Sequence, residues 1–203
     1  MAMIELLVLL AVFAILANSR AARGAFGEFA VNLSARLFLN HDHYAVIPNV
    51  TLPVAEGTSQ IDHVIISEYG VFVIETKTMS GWIYGSEKDD KWMQVLYRYK
   101  KRFQNPLRQN YAHVCALAEA LSVSKDKIFP IVVFAGNATF KTPKPANVFY
   151  GGQYIRYIKS KTQKVLSRTE VLDLIVKVFD RRLVPGWRTR RRHIENLKKR
   201  FGA

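Results

Sequence analysis

Two apolar runs of strand length lie almost end to end in this chain, QIDHVIIS at residues 60–67 and VIETK at residues 73–77. Both carry acidic groups, and Glu68-Tyr69-Gly70 between them reads as a turn, so a hairpin is predicted. Side chains at i and i+2 of a strand share a face, which points Glu75 and Lys77 the same way. An acid and a base side by side on a largely buried strand are costly unless they are paired or bind a metal. The hairpin therefore marks a site as well as a fold.

Chemistry selects the register. If the turn centres on Tyr69-Gly70, Glu68 pairs with Val71 and Asp62 with Lys77. Directly opposed residues share a face, so Asp62, Glu75 and Lys77 then converge. A three-residue loop with Ser67 opposite Val71 would shift the pairing by one and separate Asp62 from Glu75. The first register, or a bulge that restores it, is the expectation. Gln60 shares the face of Asp62, where its amide would orient a carboxylate or a phosphate. His63 alternates to the opposite face and reads as a core or rim histidine.

An Asp, a Glu-x-Lys and a hairpin between them resemble the core of the PD-(D/E)XK nuclease superfamily. Reading outwards, Gly27-Glu28 opens a helix and Gln60-Ile61-Asp62-His63 begins the first strand. Glu75-Thr76-Lys77 ends the second, followed by Gly81-Trp82-Ile83-Tyr84-Gly85, Trp92, Asn105-Pro106-Leu107-Arg108-Gln109-Asn110 and His113. This ordered set is similar to the nuclease-related domain, NERD, over residues 24–134, somewhat more than half the chain. The resemblance implies an α/β, restriction-endonuclease-like mixed sheet flanked by helices, hydrolysing phosphodiester bonds in DNA. It also implies that Gln109, on a later helix, faces the same cleft.

Phosphodiester hydrolysis needs a metal to stabilise charge on the phosphate and to acidify a water. Mg2+ (or Mn2+) prefers oxygen ligands from one or two carboxylates and keeps several waters. Asp62 and Glu75 supply those oxygens, with a strand carbonyl near Thr76 as a third. Lys77 would orient or help deprotonate the attacking water and neutralise developing charge. Glu28 either completes the site, as a ligand or through a metal-bound water, or sits in a first helical turn that favours an acid. Trp82 and Trp92 read as packing anchors rather than base-stacking platforms.

A chain of 203 residues fits one domain with appendages, and its net charge of +14 favours nucleic acid or an anionic membrane as a neighbour. The single cysteine, Cys115, excludes an intramolecular disulfide and suits a reducing compartment; its helical setting reads as core. Residues 1–17 are apolar except for Glu5, and no basic region precedes them. The expectation is a single-pass anchor over residues 1–19, with Arg20 and Arg23 placing the main domain, residues 24–180, in the cytoplasm. Residues 181–203 form a basic tail containing Arg188, Arg190, Arg191 and Arg192. It would follow nucleic-acid phosphates or adhere to the anionic inner leaflet, and the sequence leaves both open.

Elsewhere the patterning predicts helices over 26–39, 105–121 and 169–179, and strands over 44–50, 81–84, 128–134 and 146–150. The first helix owes its spacing to Phe26, Phe29, Ala30, Leu33 and Leu37; residues 53–58 read as a loop, as do those around Asp89-Asp90. Two functions follow. One is a membrane-anchored, metal-dependent nuclease. The other is a nucleic-acid-binding or partner-binding module that does not cut.

Overall fold

The computed structural model describes residues 19–186 together with Thr189, Arg191, His193 and Glu195. The strands in chain order are β1 (Ala45–Val54), β2 (Gly57–Ser67), β3 (Gly70–Lys77), β4 (Gly81–Tyr84), β5 (Lys91–Leu96), β6 (Tyr99–Gln104), β7 (Ile128–Phe134), β8 (Ala138–Phe140) and β9 (Val148–Tyr150). The helices are α1 (Arg20–Phe38), α2 (Pro106–Leu121), α3 (Gln153–Ser160) and α4 (Arg168–Arg181). They make a mixed α/β fold with a five-stranded sheet, β1-β2-β3-β7-β9, and a four-stranded sheet, β6-β5-β4-β8.

The middle of the β2–β3 hairpin is apolar without interruption because both of its faces are covered. Val64, Val71 and Val73 meet Leu117 and Leu121 of α2 and Leu174 and Val178 of α4. On the other face, Ile65, Phe72 and Ile74 meet Val31 and Ala35 of α1 and Tyr154 and Ile158 of α3. Ser67 pairs with Gly70, so the turn is Glu68-Tyr69 and not Tyr69-Gly70. Gly70 is needed inside the strand: its φ is +131°, and a Cβ there would lie 2.4 Å from the Phe129 ring. The pairing thus differs from the expected one by two residues. An even shift keeps every side chain on its face, and Asp62 falls opposite Glu75 instead of Lys77.

Several other expectations change. Residues 53–58 are the tip of the β1–β2 hairpin, and β1 accepts Pro48 and Pro53 because it is an edge strand. Pro130 is accommodated within β7, and β9 begins only opposite Val132 rather than at residue 146. Ser19 caps α1 by accepting the Ala22 N–H, so the helix starts earlier than its apolar pattern suggests. The large apolar residues of that pattern, Phe26, Phe29, Leu33 and Leu37, point outward. Small ones face the sheet instead: Gly27, Val31 and Ala35 are buried. A Cβ on Gly27 would stand 1.9 Å from Thr78 Oγ1, so only glycine lets α1 lie this close to the end of β3.

The second sheet grows out of the first. β3 continues through residues 78–80 into β4, and β7 through residues 135–137 into β8. Both pairs are parallel, and the crossing is held by Ala135 N–H to Lys77 O at 3.0 Å and Gly81 N–H to Asn137 O at 3.1 Å. Trp92 is fully buried against Phe103, Phe134 and Phe140, as a packing anchor should be. Trp82 is not an anchor; it is 50% exposed on the sheet's outer face. Cys115 is half-buried on α2. Among the described residues no helix is long and apolar enough to cross a membrane; the expected anchor, residues 1–17, lies outside them.

Candidate active site

The main sheet opens at Asp62. Pairing between β2 and β3 stops at His63–Ile74, and pairing between β1 and β2 skips Asn49, whose φ is +52°. Asp62 Oδ2 accepts the Thr76 N–H at 2.7 Å, so a carboxylate takes the place of a strand partner. Next to it Glu75 is 3% exposed. Its Oε1 accepts from Lys77 Nζ at 2.6 Å, and its Oε2 lies 3.3 Å from His113 Nε2 without a hydrogen bond.

Helix α2 closes the site from above. Asn105 caps it by accepting the Leu107 N–H, and Pro106 opens it with a fixed φ, which sets where each turn falls. Gln109 and His113 are one turn apart and so share a face. Gln109 Oε1 accepts a second bond from Lys77 Nζ at 2.9 Å, and His113 Nδ1 sits 2.8 Å from Ser59 Oγ on β2. Between them Asn110 is fully buried and donates to the carbonyls of Val73 and Ile131, at 3.0 and 2.9 Å, which pins the helix to β3 and β7.

Burial, then the charges of Glu75 and Glu28, push the Asp62 carboxyl well above the usual range, against the pull of the Thr76 N–H and Lys77. Burial also pushes Glu75 up, but Lys77 and His113 outweigh it and hold that carboxyl below its ordinary value. If both are ionised, Asp62 and Glu75 carry two negative charges against the one positive charge of Lys77. A buried Glu75 oxygen without a hydrogen bond, beside a second carboxylate, fits a hard divalent cation that takes one or two carboxylates and keeps its waters. Among the described residues no three His, Cys, Asp or Glu side chains gather closely enough to hold a metal ion by themselves.

Residues 23–135 match the family model of NERD, the nuclease-related domain. The chain belongs to the NERD family. An uncharacterized protein of Bacillus anthracis is 35% identical over 168 residues, covering 80% of this chain and 78% of that protein. The crystal structure of AF1548, a protein of unknown function, covers 87% of this chain and 99% of its own at 15% identity, with a TM-score of 0.33.

In this NERD chain the structure gathers Asp62, Glu75, Lys77 and Gln109 into one cluster. Glu28 reaches it electrostatically through Asp62 and lines an adjoining recess with Asn49, Thr51, Gln60, Pro185 and Thr189. Gln60 thus lines the same recess as Glu28. His63 lies on the opposite face, where burial lowers its pKa to about 4 despite a bond to the Glu28 backbone. The segment after α4 runs back over β1 and β2: Leu183 N–H donates to Thr51 O at 2.8 Å, and His193 Nδ1 is 2.9 Å from Thr58 Oγ1. Arg191 is exposed and paired with Glu195 at 2.9 Å, while Arg188, Arg190 and Arg192 lie outside the described residues. Sequence reasoning gave no role to His113, Ser59 or Asn110. The i+4 step from Gln109 was the available signal for His113.

Proposed function

We propose that this NERD chain is a divalent-cation-dependent nuclease that hydrolyses phosphodiester bonds in DNA from the cytoplasmic face of a membrane. The supporting observation is the meeting of Asp62, Glu75 and Lys77 on one sheet face, with a Glu75 oxygen lacking a hydrogen bond. Asp62 and Glu75 would hold Mg2+ or Mn2+, with Glu28 alongside as a ligand or through water. When bound, such an ion stabilises charge on the phosphate and acidifies a water.

The chain's own groups do the rest. A lysine ammonium has three N–H donors. Glu75 and Gln109 take two of those on Lys77, at 2.6 and 2.9 Å, leaving the third for the attacking water or for the charge that builds on the phosphate. Gln109 is a positioning residue, because it fixes the ammonium without reaching the reacting atoms itself. His113, with Nε2 3.3 Å from Glu75 Oε2, would hold Glu75 by charge rather than by a hydrogen bond.

A net charge of +14 supports an anionic polymer as substrate. Membrane attachment is supported by the apolar residues 1–17, by Arg20 and Arg23 after them, and by the outward Phe26, Phe29, Leu33 and Leu37 of α1. The closed Lys77–Glu75 pair favours a second reading, a binding module in which the two charges cancel and nothing is cut.

The test is full-length protein in detergent, assayed with Mg2+, Mn2+ or EDTA on single- and double-stranded DNA and RNA. Asp62→Ala, Glu75→Ala and Lys77→Ala should each abolish cutting. Metal binding should weaken in the two acid variants and much less in the lysine variant. Full activity in Glu75→Ala would sink the hydrolytic reading, and binding without cutting under every metal condition identifies the second.

A further inference from the structure

The outer face of the smaller sheet repeats one pattern twice. By register, Trp82 of β4 stands beside Val95 of β5 and that beside Lys100 of β6. One step along, Tyr84 stands beside Met93 and that beside Arg102. Each row reads aromatic, aliphatic, cation. Strand geometry puts the rows about 7 Å apart and the ring about 10 Å from the cation. The first is close to the spacing of successive nucleotides in an extended strand, and the long Lys and Arg side chains shorten the second toward the reach of a base from its phosphate. Trp82 is 50% exposed, Lys100 and Arg102 are exposed, and no acidic side chain occupies a strand position on this face. Lys141 adds a further cation, its Nζ 4.7 Å from the Trp82 ring centre.

We propose that this face is a docking platform for single-stranded nucleic acid, with bases on Trp82 and Tyr84 and phosphates on Lys100, Arg102 and Lys141. It deepens the nuclease reading and rests on it for its purpose. Single strands are favoured because their bases are free to stack on side chains, whereas a duplex keeps them stacked inside. An exposed cation–π contact is weak, so Lys141 can yield the ring to a base and take a phosphate instead. The platform also adjoins the chemistry. Trp82 follows Lys77 by five residues, a separation of no more than about 18 Å in an extended chain. A strand lying across it is delivered toward the open end of β3.

Full-length protein, in EDTA so that nothing is cut, is titrated against a labelled oligothymidylate and a hairpin duplex, with binding read by anisotropy. Trp82→Ala should weaken oligothymidylate binding by about 5- to 150-fold, and Trp82→Phe should recover most of it. Lys100→Gln combined with Arg102→Gln should reduce the salt slope by about 1.4, two phosphate contacts at about 0.7 each. Duplex binding should hardly respond to Trp82→Ala. The platform is overturned by wild-type affinity and salt slope in these variants, or by equal loss on duplex. Cutting that survives such a result leaves the nuclease reading standing. Trp82-dependent binding by a protein that cuts no substrate does the reverse.

Discussion

Asp62 combines two duties that a pair of substitutions separates. Asp62→Asn keeps an acceptor for the Thr76 N–H but removes the charge; Asp62→Ala removes both. Without metal, ionised Asp62 is disfavoured by burial and by its acidic neighbours, so its raised pKa makes stability decline as pH rises through that value. Asp62→Asn should therefore flatten the decline and melt no lower than wild type in EDTA, while losing any Mg2+-induced rise in Tm. Asp62→Ala should lose about 1–3 kcal/mol, the cost of stranding the Thr76 amide. Glu75 has the opposite sign: its depressed pKa contributes stability that is lost as pH falls through the folded-state value. His113 helps to depress it, so His113→Ala should move the acid limb of the pH–rate profile to higher pH. The same variant should lose about 10- to 100-fold in activity. An unmoved limb would reduce His113 to packing.

At the scale of elements, the seat of α1 depends on one missing methyl group. Gly27→Ala should destabilise the chain by about 1–3 kcal/mol, and adding Thr78→Ala should restore part of the loss, since Thr78 Oγ1 is the nearest atom. Thermal melts of the four-member cycle check this. The same helix shows where sequence reading falls short. Its Phe and Leu residues have helical spacing, but the face that meets the sheet is the small one, and spacing alone does not say which face is inside. The β2–β3 hairpin was legible because buried strands read as apolar runs, yet its turn was misplaced because Gly70 serves Phe129 rather than the turn. Strands β5 and β6 escaped notice because their outward positions carry Lys91, Lys100 and Arg102. Only Trp92 and Phe103 mark their inner face. The carboxylate–lysine core was readable from alternation; His113 stood in the resembling set, but its contact with Glu75 was not readable, since it exists only once α2 crosses β3.

For the whole molecule, the exposed strip on α1 starts at Phe26, a few residues after the apolar residues 1–17 in sequence. Full-length protein should sediment with membranes and resist extraction by high salt, whereas a chain lacking residues 1–17 should become salt-extractable. Phe29→Asp with Leu33→Asp in that shortened chain should weaken its residual attachment to anionic vesicles further. Protease outside intact cells should not reach the main domain, and cleavage there would refute the orientation. The shared crossing of β3 and β7 between the two sheets also governs time. Gln109 and His113 ride on the stretch of chain that the β3–β7 pairing encloses, and both sheets gain parallel neighbours in that one closure. Pairing of strands far apart in sequence is the slow part of folding. The acids of the local hairpin can meet early, but their supports arrive only with the closure of β7 on β3. On the nuclease reading, a chain still emerging from the ribosome is therefore expected to lack the assembled site until α2 and β7 have joined β3.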